Sequence, residues 1–571
     1  MKALLCQFLC HVVAQARGQG IIKTKNTPAL TLEMPKQANM GDFATTLALS
    51  LAKEEKRPPM ALAESLVSLM KSNLAADPTG LAFPAMPLIP MIEKIEIAGP
   101  GYINFFIKKE HWHQTLIEIH RQKEAYGLSA TGEGKRVLIE FVSANPTGPL
   151  HVAHGRAAAL GDVLTRLLRA TGFHVDTEYY INDVGGQMTL LSRSTYLRYR
   201  ELFGETITLP EEGYRGDYII DIAKGIRNAQ ADSYLHGPQE EQVASFKTMA
   251  YEMIIGWIRR DLTTFGVSFN QWCSEEGLGK AVQSAIAFLQ SKGMIYEQEG
   301  AIWVATRRYG DDKDRVVVRG NGQITYFASD IAYHKNKLER GYDRLINIWG
   351  ADHHGYIQRV KAAVTALGYS SDCLTILTHQ LVNLLRDGKP VPMSKRSGEF
   401  VTLREVMDEV GVDATRFFFL MRRADTAVDF DLELAKRASN ENPVYYVQYA
   451  YARLCSIVRV AAEKGWDIEE TINTATIDDL NPLTLPEEGA LIKQLSLYPD
   501  LIETTAEMLE PHRLTSYLQE LAGRIHKYYY DHRVITEDLA LSRARLILVT
   551  AIQIVLKNAL GIMGVRAPER M

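Results

Sequence analysis

The sequence predicts a multidomain α/β protein, in which a doubly wound, Rossmann-type parallel-sheet domain lies between an α+β N-terminal domain and a helical C-terminal domain. Three observations support this prediction. The chain has 571 residues, which corresponds to roughly three or four domains. Residues 137–170 are typical of a β-branched strand, a Pro/Gly loop and a helix with apolar residues at helical spacing. From about residue 436 onward, helical patterns alternate with short loops.

Residues 1–115 are expected to form an α+β domain of their own. The start of the chain resembles a signal peptide, with Lys2, an apolar stretch and a small-residue site at 14–16. The apolar residues nevertheless recur at helical spacing beside a polar stripe, so an amphipathic helix is the preferred interpretation. Further on, two apolar runs flank Gly99-Pro100-Gly101, and this pattern predicts a β-hairpin.

Residues 116–435 are expected to hold the parallel sheet. Its first βαβ unit is predicted as strand 137–141, helix 153–170 and strand 174–183, joined by a right-handed crossover. A helical insertion follows at about 185–300. The second half is expected to resume near residue 301, with these elements: strands 316–333, 345–354 and 374–382, and a helix at 355–367. A helix-rich part begins near Asp413, and residues 436–571 are predicted to form a helical bundle.

The composition is that of an ordinary globular protein, with 46% hydrophobic and 23% charged residues. A net charge of −4 means that any contact with nucleic acid must use local basic patches. The five cysteines are scattered without a Cys-x-x-Cys pair, which suits a reducing compartment and argues against structural zinc. No apolar run long enough to span a membrane is expected.

The first candidate site lies at the turn between strand 137–141 and its helix. His151 and His154 are three residues apart there, so both rings can lie on one side of an opening helical turn. The unpaired N–H groups of a helix N-terminus favour phosphate. A metal site is the alternative, but along the chain only Asp162 is near enough to add a ligand. Phosphate is therefore the favoured ligand.

A second motif, Pro-Met-Ser-Lys-Arg-Ser-Gly at residues 392–398, lies in a Gly/Pro-bounded loop far downstream. His-x-x-His after a strand, followed by Met-Ser-Lys-Arg-Ser, resembles the two nucleotide-binding signatures of class I aminoacyl-tRNA synthetases. The words EFVSANPTGPLHVAHGRA, GVDATRFFFL and NENPVYYVQYAYAR are similar to arginyl-tRNA synthetases in particular, over nearly the whole chain. The chain departs from the signatures at Ala153, where Gly is usual, and at Pro392, where Lys is usual.

The resemblance implies ATP-dependent attachment of L-arginine to tRNA(Arg) through an arginyl-adenylate, with Mg²⁺ accompanying ATP. Catalysis should come from positioning and charge placement. The catalytic residues would be His151 and His154, which hold the phosphates, and Lys395, which neutralises the departing pyrophosphate. Four residues follow an apolar strand at its carboxyl end and are assigned to the adenosine of ATP, with the aminoacyl side as the alternative: Gly350, Asp352, His353 and His354. The other residues assigned to ATP are Gly155, Met393 and Ser394.

A guanidinium pocket requires carboxylate acceptors and an aromatic wall. Tyr326 and Asp330 are one helical turn apart and can face one cavity. The resemblance implies that these two residues and Glu275 line the arginine side-chain pocket. It further implies that Glu140 and Asn145 hold the α-amino and carboxylate groups. The alternatives left open are a helix N-cap for Asp330 and a strand-end salt bridge for Glu140.

The C-terminal third is expected to bind the anticodon, because Asp413-Ala414-Thr415-Arg416 resembles the Asp-Ala-Leu-Arg word of that domain. The best candidate for stacking RNA bases is a run in which aromatic and basic residues interleave: Lys527, Tyr528, Tyr529, Tyr530 and Arg533. Three consecutive tyrosines cannot share one helix face, so at least one is expected in the core. Similar terminal words in the family lie beside the anticodon site, which adds Arg570 and Met571. For the N-terminal domain, contact with the tRNA elbow and simple packing are left open.

Three alternatives compete with this interpretation. A small HxxH nucleotidyltransferase would lack the helical C-terminal third and an insertion of this length. Cysteinyl specificity would need zinc ligands, for which the cysteines are too scattered. A regulatory protein that has lost catalysis is opposed by the presence of His151, His154 and Lys395. The expected protein is a cytoplasmic monomer that binds tRNA, arginine and ATP and contains no structural metal.

Overall fold

The computed structural model describes residues 2–26, 30–35, 37–76, 91–391 and 401–571. The chain forms two compact units. One contains Met1–Tyr126, Ser456–Asp500 and Arg524–Val555, and the other contains Gly127–Cys455, Leu501–Gly523 and Leu556–Met571. The division does not follow the predicted domain boundaries, which remain predictions.

The N-terminal elements confirm the expected mixture of helix and antiparallel strand. They are α1 (Lys2–Gly18), β1 (Leu32–Glu33), β2 (Phe43–Thr45), α2 (Leu47–Glu55), α3 (Pro59–Ala76), β3 (Ile92–Ala98), β4 (Tyr102–Ile107) and α4 (Lys109–Gln122). The strands form an antiparallel sheet of order β1-β2-β4-β3, and β3 and β4 make the predicted hairpin. The apolar stripe of α1 is buried, as expected of an amphipathic helix.

The central region contains the parallel sheet and its interruptions. Its elements are β5 (Arg136–Glu140), α5 (Val152–Ala170), β6 (His174–Ile181), α6 (Gly186–Glu201), α7 (Asp217–Gln230), α8 (Gln239–Thr264), β7 (Gln271–Ser274), α9 (Gly279–Ser291), β8 (Ile295–Gln298), β9 (Ala301–Val304), β10 (Arg315–Val318), α10 (Tyr326–Glu339), β11 (Arg344–Gly350), α11 (Ile357–Ala366), β12 (Leu374–His379), β13 (Val382–Arg386), β14 (Lys389–Pro390), α12 (Leu403–Val410), α13 (Val412–Leu420) and β15 (Val428–Asp431). A 3₁₀ segment, Ala351–Tyr356, joins β11 to α11.

The parallel sheet has five strands in the order β12-β11-β5-β6-β7. Its central strands are buried on both faces, as in Val137, Leu138 and Ile139, because helices cover the sheet. Strand order reverses between β5 and β11. Ligands of open α/β sheets bind outside the carboxyl ends of the strands at such a switch point.

One prediction in this region is wrong. Strand 316–333 is not one strand: β10 ends at Val318 and belongs to a small antiparallel sheet of β8, β9 and β10, while α10 begins at Tyr326. The stretch predicted as a helical insertion, about 185–300, contains α6 to α9 and also β7, which pairs in parallel with β6. Short strands inside helical stretches have no distinct periodicity of their own, so only their pairing reveals them.

The C-terminal elements are helical, as predicted. They are α14 (Leu432–Lys436), α15 (Pro443–Glu463), α16 (Ile468–Asn473), α17 (Pro486–Ser496), α18 (Tyr498–Met508), α19 (His512–Asp531) and α20 (Leu539–Met563). The expectation that no apolar run is long enough to span a membrane is wrong for α20, the one helix in the described part of the chain that is long and apolar enough to do so. Two thirds of its most apolar stretch is buried in the protein, which is typical of a core helix.

Candidate active site

The predicted phosphate-binding turn lies at the switch point. His151 is the N-cap of α5, and its backbone N–H donates to Nδ1 of His154 at 3.3 Å. The two rings stack with their centroids 3.7 Å apart. Both side chains are half-buried at the positive end of the α5 dipole. This geometry fits two imidazoles held together beside an anion.

The second signature, including Pro392, Met393, Ser394 and Lys395, lies outside the described residues. Its downstream flank is anchored beside the histidines: Thr402 forms a β-bridge with His151, and the Leu403 N–H donates to the Leu150 carbonyl at 2.7 Å. Thr402 and Glu405 then form a capping box that starts α12. The residues that follow the second signature therefore make backbone hydrogen bonds with the residues of the first signature.

The loop after β5 carries backbone strain. Val142 and Ser143 have φ values of 68° and 41°. Residues other than glycine rarely adopt this left-handed conformation, and those that do are often found at functional sites. The conformation lets Ser143 Oγ donate to Glu140 Oε1 at 2.9 Å while accepting from the Tyr180 N–H at 3.2 Å. The strained turn thus helps to hold the Glu140 carboxylate.

Glu140 ends β5 as a buried carboxylate in an ion pair. Lys337 Nζ lies 2.5 Å from Glu140 Oε2 and 3.1 Å from Asn347 Oδ1. Asn347 Nδ2 is 3.0 Å from His334 Nε2, and His334 Nδ1 is 2.8 Å from the Asp330 carbonyl. Burial, with a smaller contribution from Lys337, lowers the pKa of His334 to about 3. The neutral ring therefore donates from Nδ1 and accepts at Nε2.

The salt bridge considered as an alternative role for Glu140 is thus present, with Lys337 as its partner. The N-cap alternative for Asp330 is wrong, because the residue lies inside α10, one turn after its first residue. Lys337 lies seven residues after Asp330, two turns along the same face. This face of α10 is directed at the switch point.

The half-buried carboxylate of Asp330 lies near two buried carboxylates, those of Glu140 and Glu275. Burial and the neighbouring Glu140 and Glu275 raise its pKa to about 7, against the opposing effects of the Tyr356 hydrogen bond and Lys337. The Tyr356 hydroxyl donates to Asp330 Oδ2. Burial also raises the pKa of Glu275, although Ser329 and Tyr180 donate to it. Such a group of carboxylates suits a cationic ligand.

Two of the residues predicted to bind arginine, Tyr326 and Asn145, are exposed. Tyr326 is 61% exposed, and its hydroxyl lies 2.8 Å from where a Cβ on Gly185 would stand. Gly185 has a φ of 87°, a conformation that favours glycine. Asn145 is exposed, and its Nδ2 donates to Gln187 Oε1 at 2.8 Å.

The residues assigned to adenosine follow β11, as expected. Gly350 is the last residue of that strand, and the side chains of Asp352 and His353 are 80% and 61% exposed in the 3₁₀ segment, where His354 is exposed as well. Gly155 has a packing explanation: a Cβ there would stand 2.6 Å from Leu403 Cδ1. Its assignment to ATP remains a prediction.

Sequence reasoning missed three side chains of the site, namely Tyr180, Lys337 and Tyr356. Tyr180 lies next to the carboxyl end of β6, and its burial beside Glu275, Asp330 and Glu140 raises its pKa above the usual range. Position at a strand end could have indicated Tyr180, and heptad spacing from Asp330 could have indicated Lys337. Tyr356 has no comparable signal in the sequence.

The tyrosine run on α19 divides as helical geometry requires. Tyr528 is buried, and its hydroxyl donates to Glu488 Oε1 at 3.1 Å. Tyr529 and Tyr530 are 41% and 89% exposed. The expectation that at least one tyrosine is core is confirmed, and the assignment of Tyr528 to RNA is corrected because its ring is not accessible. The cations of the run, Lys527 and Arg533, are exposed.

The word Asp413-Ala414-Thr415-Arg416 anchors the end of the chain. Asp413 Oδ2 accepts from Arg566 Nε at 2.8 Å, and Arg416 Nε donates to the Met563 carbonyl at 2.9 Å. Gly564 has a φ of 65°, and a Cβ on it would stand 2.4 Å from Arg416 NH2. The tail is therefore fixed through Arg566, while Arg570 and Met571 are exposed.

The part of the chain that the structure describes contains no group of three or more His, Cys, Asp or Glu side chains suited to a metal. The cysteines in it are all free thiols.

Three family models match consecutive parts of the chain. They are described as "Arginyl tRNA synthetase N terminal domain" at residues 9–107, "tRNA synthetases class I (R), catalytic domain" at 115–425 and "DALR anticodon binding domain" at 447–571. The expected fold class is confirmed by these matches and by the parallel sheet.

Relatives match over the full length. An arginine–tRNA ligase from Citrifermentans bemidjiense is 53% identical and one from Syntrophotalea carbinolica is 48% identical, each covering 100% of both chains. The solved arginyl-tRNA synthetase of Thermus thermophilus shares the fold with a TM-score of 0.74 at 24% identity, covering 99% of this chain and 100% of that one. The chain belongs to the arginyl-tRNA synthetase family of class I aminoacyl-tRNA synthetases.

Proposed function

We propose that the switch-point edge of the parallel sheet is where this chain carries out its family's reaction, the ATP-dependent attachment of arginine to tRNA for protein synthesis. The observation that supports the proposal best is the group of carboxylates formed by Glu140, Glu275 and Asp330. Glu140 ends the strand that leads into α5, whose N-terminus carries two stacked histidines. One part suits a guanidinium and an ammonium group, and the other suits phosphates.

In the first step, the arginine carboxylate attacks the α-phosphorus of ATP, and pyrophosphate leaves with the electron pair of the broken P–O bond. Asp330, Glu275 and Tyr326 hold the side chain in this proposal, and Glu140 and Asn145 hold the α-substituents. Lys337 neutralises Glu140 only, so the carboxylates of Glu275 and Asp330 remain to balance the cationic groups of the substrate.

His151 and His154 hold the phosphates of ATP, and Lys395 neutralises charge on the departing pyrophosphate more strongly in the transition state than in the ground state. Gly155, Met393 and Ser394 complete the phosphate contacts, while Gly350, Asp352, His353 and His354 border the adenosine. Mg²⁺ would accompany ATP and would supply positive charge to its phosphates.

In the second step, a terminal ribose hydroxyl of tRNA attacks the carbonyl carbon of the arginyl-adenylate, and AMP leaves. The tRNA contacts proposed on the helical part are Lys527, Tyr529, Tyr530 and Arg533, with Arg570 and Met571 on the tail. The domain boundaries proposed are 1–115, 116–435 and 436–571. The protein is proposed to be cytoplasmic, which its free cysteines and the buried position of α20 support, and to be a monomer.

The arginine pocket is tested with Asp330→Asn in ATP–pyrophosphate exchange, measured with and without tRNA. Loss of a charged acceptor should raise the KM for arginine by roughly 10- to 150-fold and leave that for ATP nearly unchanged. Asp176→Asn is the matched control, because Asp176 also accepts from a tyrosine but lies near the amino end of β6. Equal losses for both substrates would contradict the assignment.

The leaving-group role is tested with Lys395→Ala, compared with Lys389→Ala, which removes an exposed lysine from β14. Only the first should slow adenylate formation, and the affinity for arginine should change little. A large rise in the arginine dissociation constant would contradict the role. Absence of exchange in the unmodified protein, with or without tRNA, would favour the regulatory alternative.

A further inference from the structure

Tyr356 joins the two halves of the proposed site. It ends the 3₁₀ segment Ala351–Tyr356 that follows β11, and its hydroxyl donates to Asp330 Oδ2 on α10. The residues just before it border the proposed adenosine site, whereas Asp330 belongs to the proposed arginine pocket. The hydrogen bond therefore links segments that the sequence separates by 25 intervening residues.

The ring of Tyr356 is held by neighbours other than Asp330. Phe327 meets it edge-on with the ring centroids 6.4 Å apart, and Trp349 lies at 6.2 Å. The Arg359 guanidinium lies 4.5 Å from the ring centroid. These contacts come from α10, β11 and α11, so the position of the hydroxyl is set largely independently of the carboxylate.

We propose that Tyr356 is a positioning residue for arginine selection, whose hydroxyl occupies Oδ2 of Asp330 and thereby turns Oδ1 toward the substrate guanidinium. The inference rests on the proposed function, because it assumes that Asp330 receives the guanidinium. A carboxylate has two oxygens and rotates about its χ2 torsion. A fixed donor on one oxygen removes that freedom before the substrate binds, which is the preorganisation that selective sites need.

The charges around Asp330 explain why its carboxylate needs a fixed hydrogen-bond donor. Glu140 from β5 and Glu275 after β7 repel its charge, whereas Lys337, on the same helix, attracts it. Tyr180 from β6 also lies close, and His334 contacts its backbone carbonyl. Without the Tyr356 hydroxyl, the attraction left to the Asp330 carboxylate comes from Lys337, and that lysine already binds Glu140 and Asn347.

A second consequence separates positioning from mere packing. The Tyr356 hydrogen bond lowers the pKa of Asp330 against the effect of burial. Its removal should raise that pKa, so a higher pH would be needed before Asp330 can pair with a guanidinium. Loss of packing alone would not shift a titration.

The test compares Tyr356→Phe with Tyr342→Phe. Tyr342 donates to Asp176 Oδ2 at 2.8 Å, so the control removes a tyrosine–aspartate bond of the same kind at the amino end of the sheet. Tyr356→Phe should raise the KM for arginine roughly tenfold, leave the KM for ATP within about twofold, and move the acid limb of kcat/KM for arginine to higher pH. The control should do none of these. An unshifted acid limb in Tyr356→Phe would overturn the proposal.

A double-mutant cycle with Asp330→Asn identifies the path of the effect. If Tyr356 acts through Asp330, Tyr356→Phe should add less than about twofold in the Asn background. A rise in the KM for arginine as large as the one that Tyr356→Phe causes in the unmodified protein would overturn the proposal. If Asp330→Asn itself leaves the arginine KM unchanged, the proposed function fails instead, so the two failures are distinguishable.

If Tyr356→Phe proves unstable, 3-fluorotyrosine at position 356 provides a second test. Its more acidic phenol is a stronger donor and keeps the ring packing, so the acid limb should move to lower pH. An unshifted or opposite movement would overturn the proposal.

Discussion

The pKa of the Asp330 carboxyl is raised to about 7 because the group is buried near Glu140 and Glu275. At pH 7 an aspartate in water is ionised, whereas the surroundings of Asp330 favour its protonated form. A neutral carboxylic acid cannot form an ion pair with the guanidinium, and it would direct its own proton into the pocket.

We therefore predict that kcat/KM for arginine falls with decreasing pH below about 7 and is flat above it. The direction follows from the raised pKa, since the protonated form dominates below it, and kcat/KM reports the free enzyme. Initial rates of exchange at saturating ATP from pH 5.5 to 9 measure this. The control is Asp330→Asn, which should lose this limb, and a limb that persists in the variant would assign the titration elsewhere.

Lys337 stabilises the same pocket through its buried ion pair with Glu140. We predict that Lys337→Met destabilises the sheet by about 3–5 kcal/mol, because Glu140 is left buried without its cation. The measurement is the shift in the urea midpoint. Lys335→Met is the matched control on the same helix, since Lys335 pairs with the exposed Glu339 and should contribute below about 1 kcal/mol. Equal shifts would show that the buried pair is not special.

At the scale of single elements, α19 shows how one helix divides its tyrosines between core and surface. Successive residues are about 100° apart around a helix axis. Tyr528 consequently packs inward against Glu488, and Tyr530 is directed into solvent. Glu488 also accepts from Arg545 Nε at 2.9 Å, so Tyr528 belongs to a buried polar group.

We predict that Tyr530→Ala raises the KM for tRNA by roughly fivefold or more, because base stacking on a tyrosine contributes about 1–3 kcal/mol. Exchange without tRNA should be unaffected. Tyr528→Phe is the comparison, and it should lower the melting temperature while leaving the KM for tRNA nearly unchanged. A tRNA effect of Tyr528→Phe as large as that of Tyr530→Ala would indicate that helix stability, and not stacking, is responsible.

The start of α10 is the clearest case in which an element was wrongly predicted. Residues 316–318 are β-branched and form β10, but the strand does not continue beyond the Gly320-Asn321-Gly322 turn. After the turn, apolar and aromatic residues fit either period over a short window. Burial of Phe327, Ala328 and Ile331 on one helical face decides for helix.

At the scale of the whole molecule, the end of the chain is attached to the unit that contains the parallel sheet. Asp413 binds both the side chain and the backbone N–H of Arg566, and Gln448 Nε2 donates to the Arg566 carbonyl at 2.9 Å. Val565 is buried. The exposed residues 569–571 therefore follow a residue whose position is fixed by hydrogen bonds.

We predict that deletion of residues 568–571 raises the KM for tRNA and reduces its dependence on salt, because Arg570 no longer neutralises a phosphate. Activation of arginine in saturating tRNA should persist. Aminoacylation kinetics at several salt concentrations measure both effects, with Glu569→Gln as a control that keeps the length of the tail. Unchanged kinetics across salt concentrations would show that the tail has no part in tRNA binding.

Local patterns in the sequence determined the fold class, the hairpin at Gly99-Pro100-Gly101, the βαβ unit and the His151/His154 turn, because each depends on periodicity or on turn residues within a short window. The Tyr326/Asp330 pair was proposed from a spacing of one helical turn, although the same stretch was predicted to be a strand, and its role remains a prediction. The tertiary structure alone decided the strand order, the place of β7 in the sheet, the ion pair of Glu140 with Lys337 and the bond from Tyr356 to Asp330. These contacts join residues far apart in the chain, and their existence depends on packing and burial that no local pattern encodes.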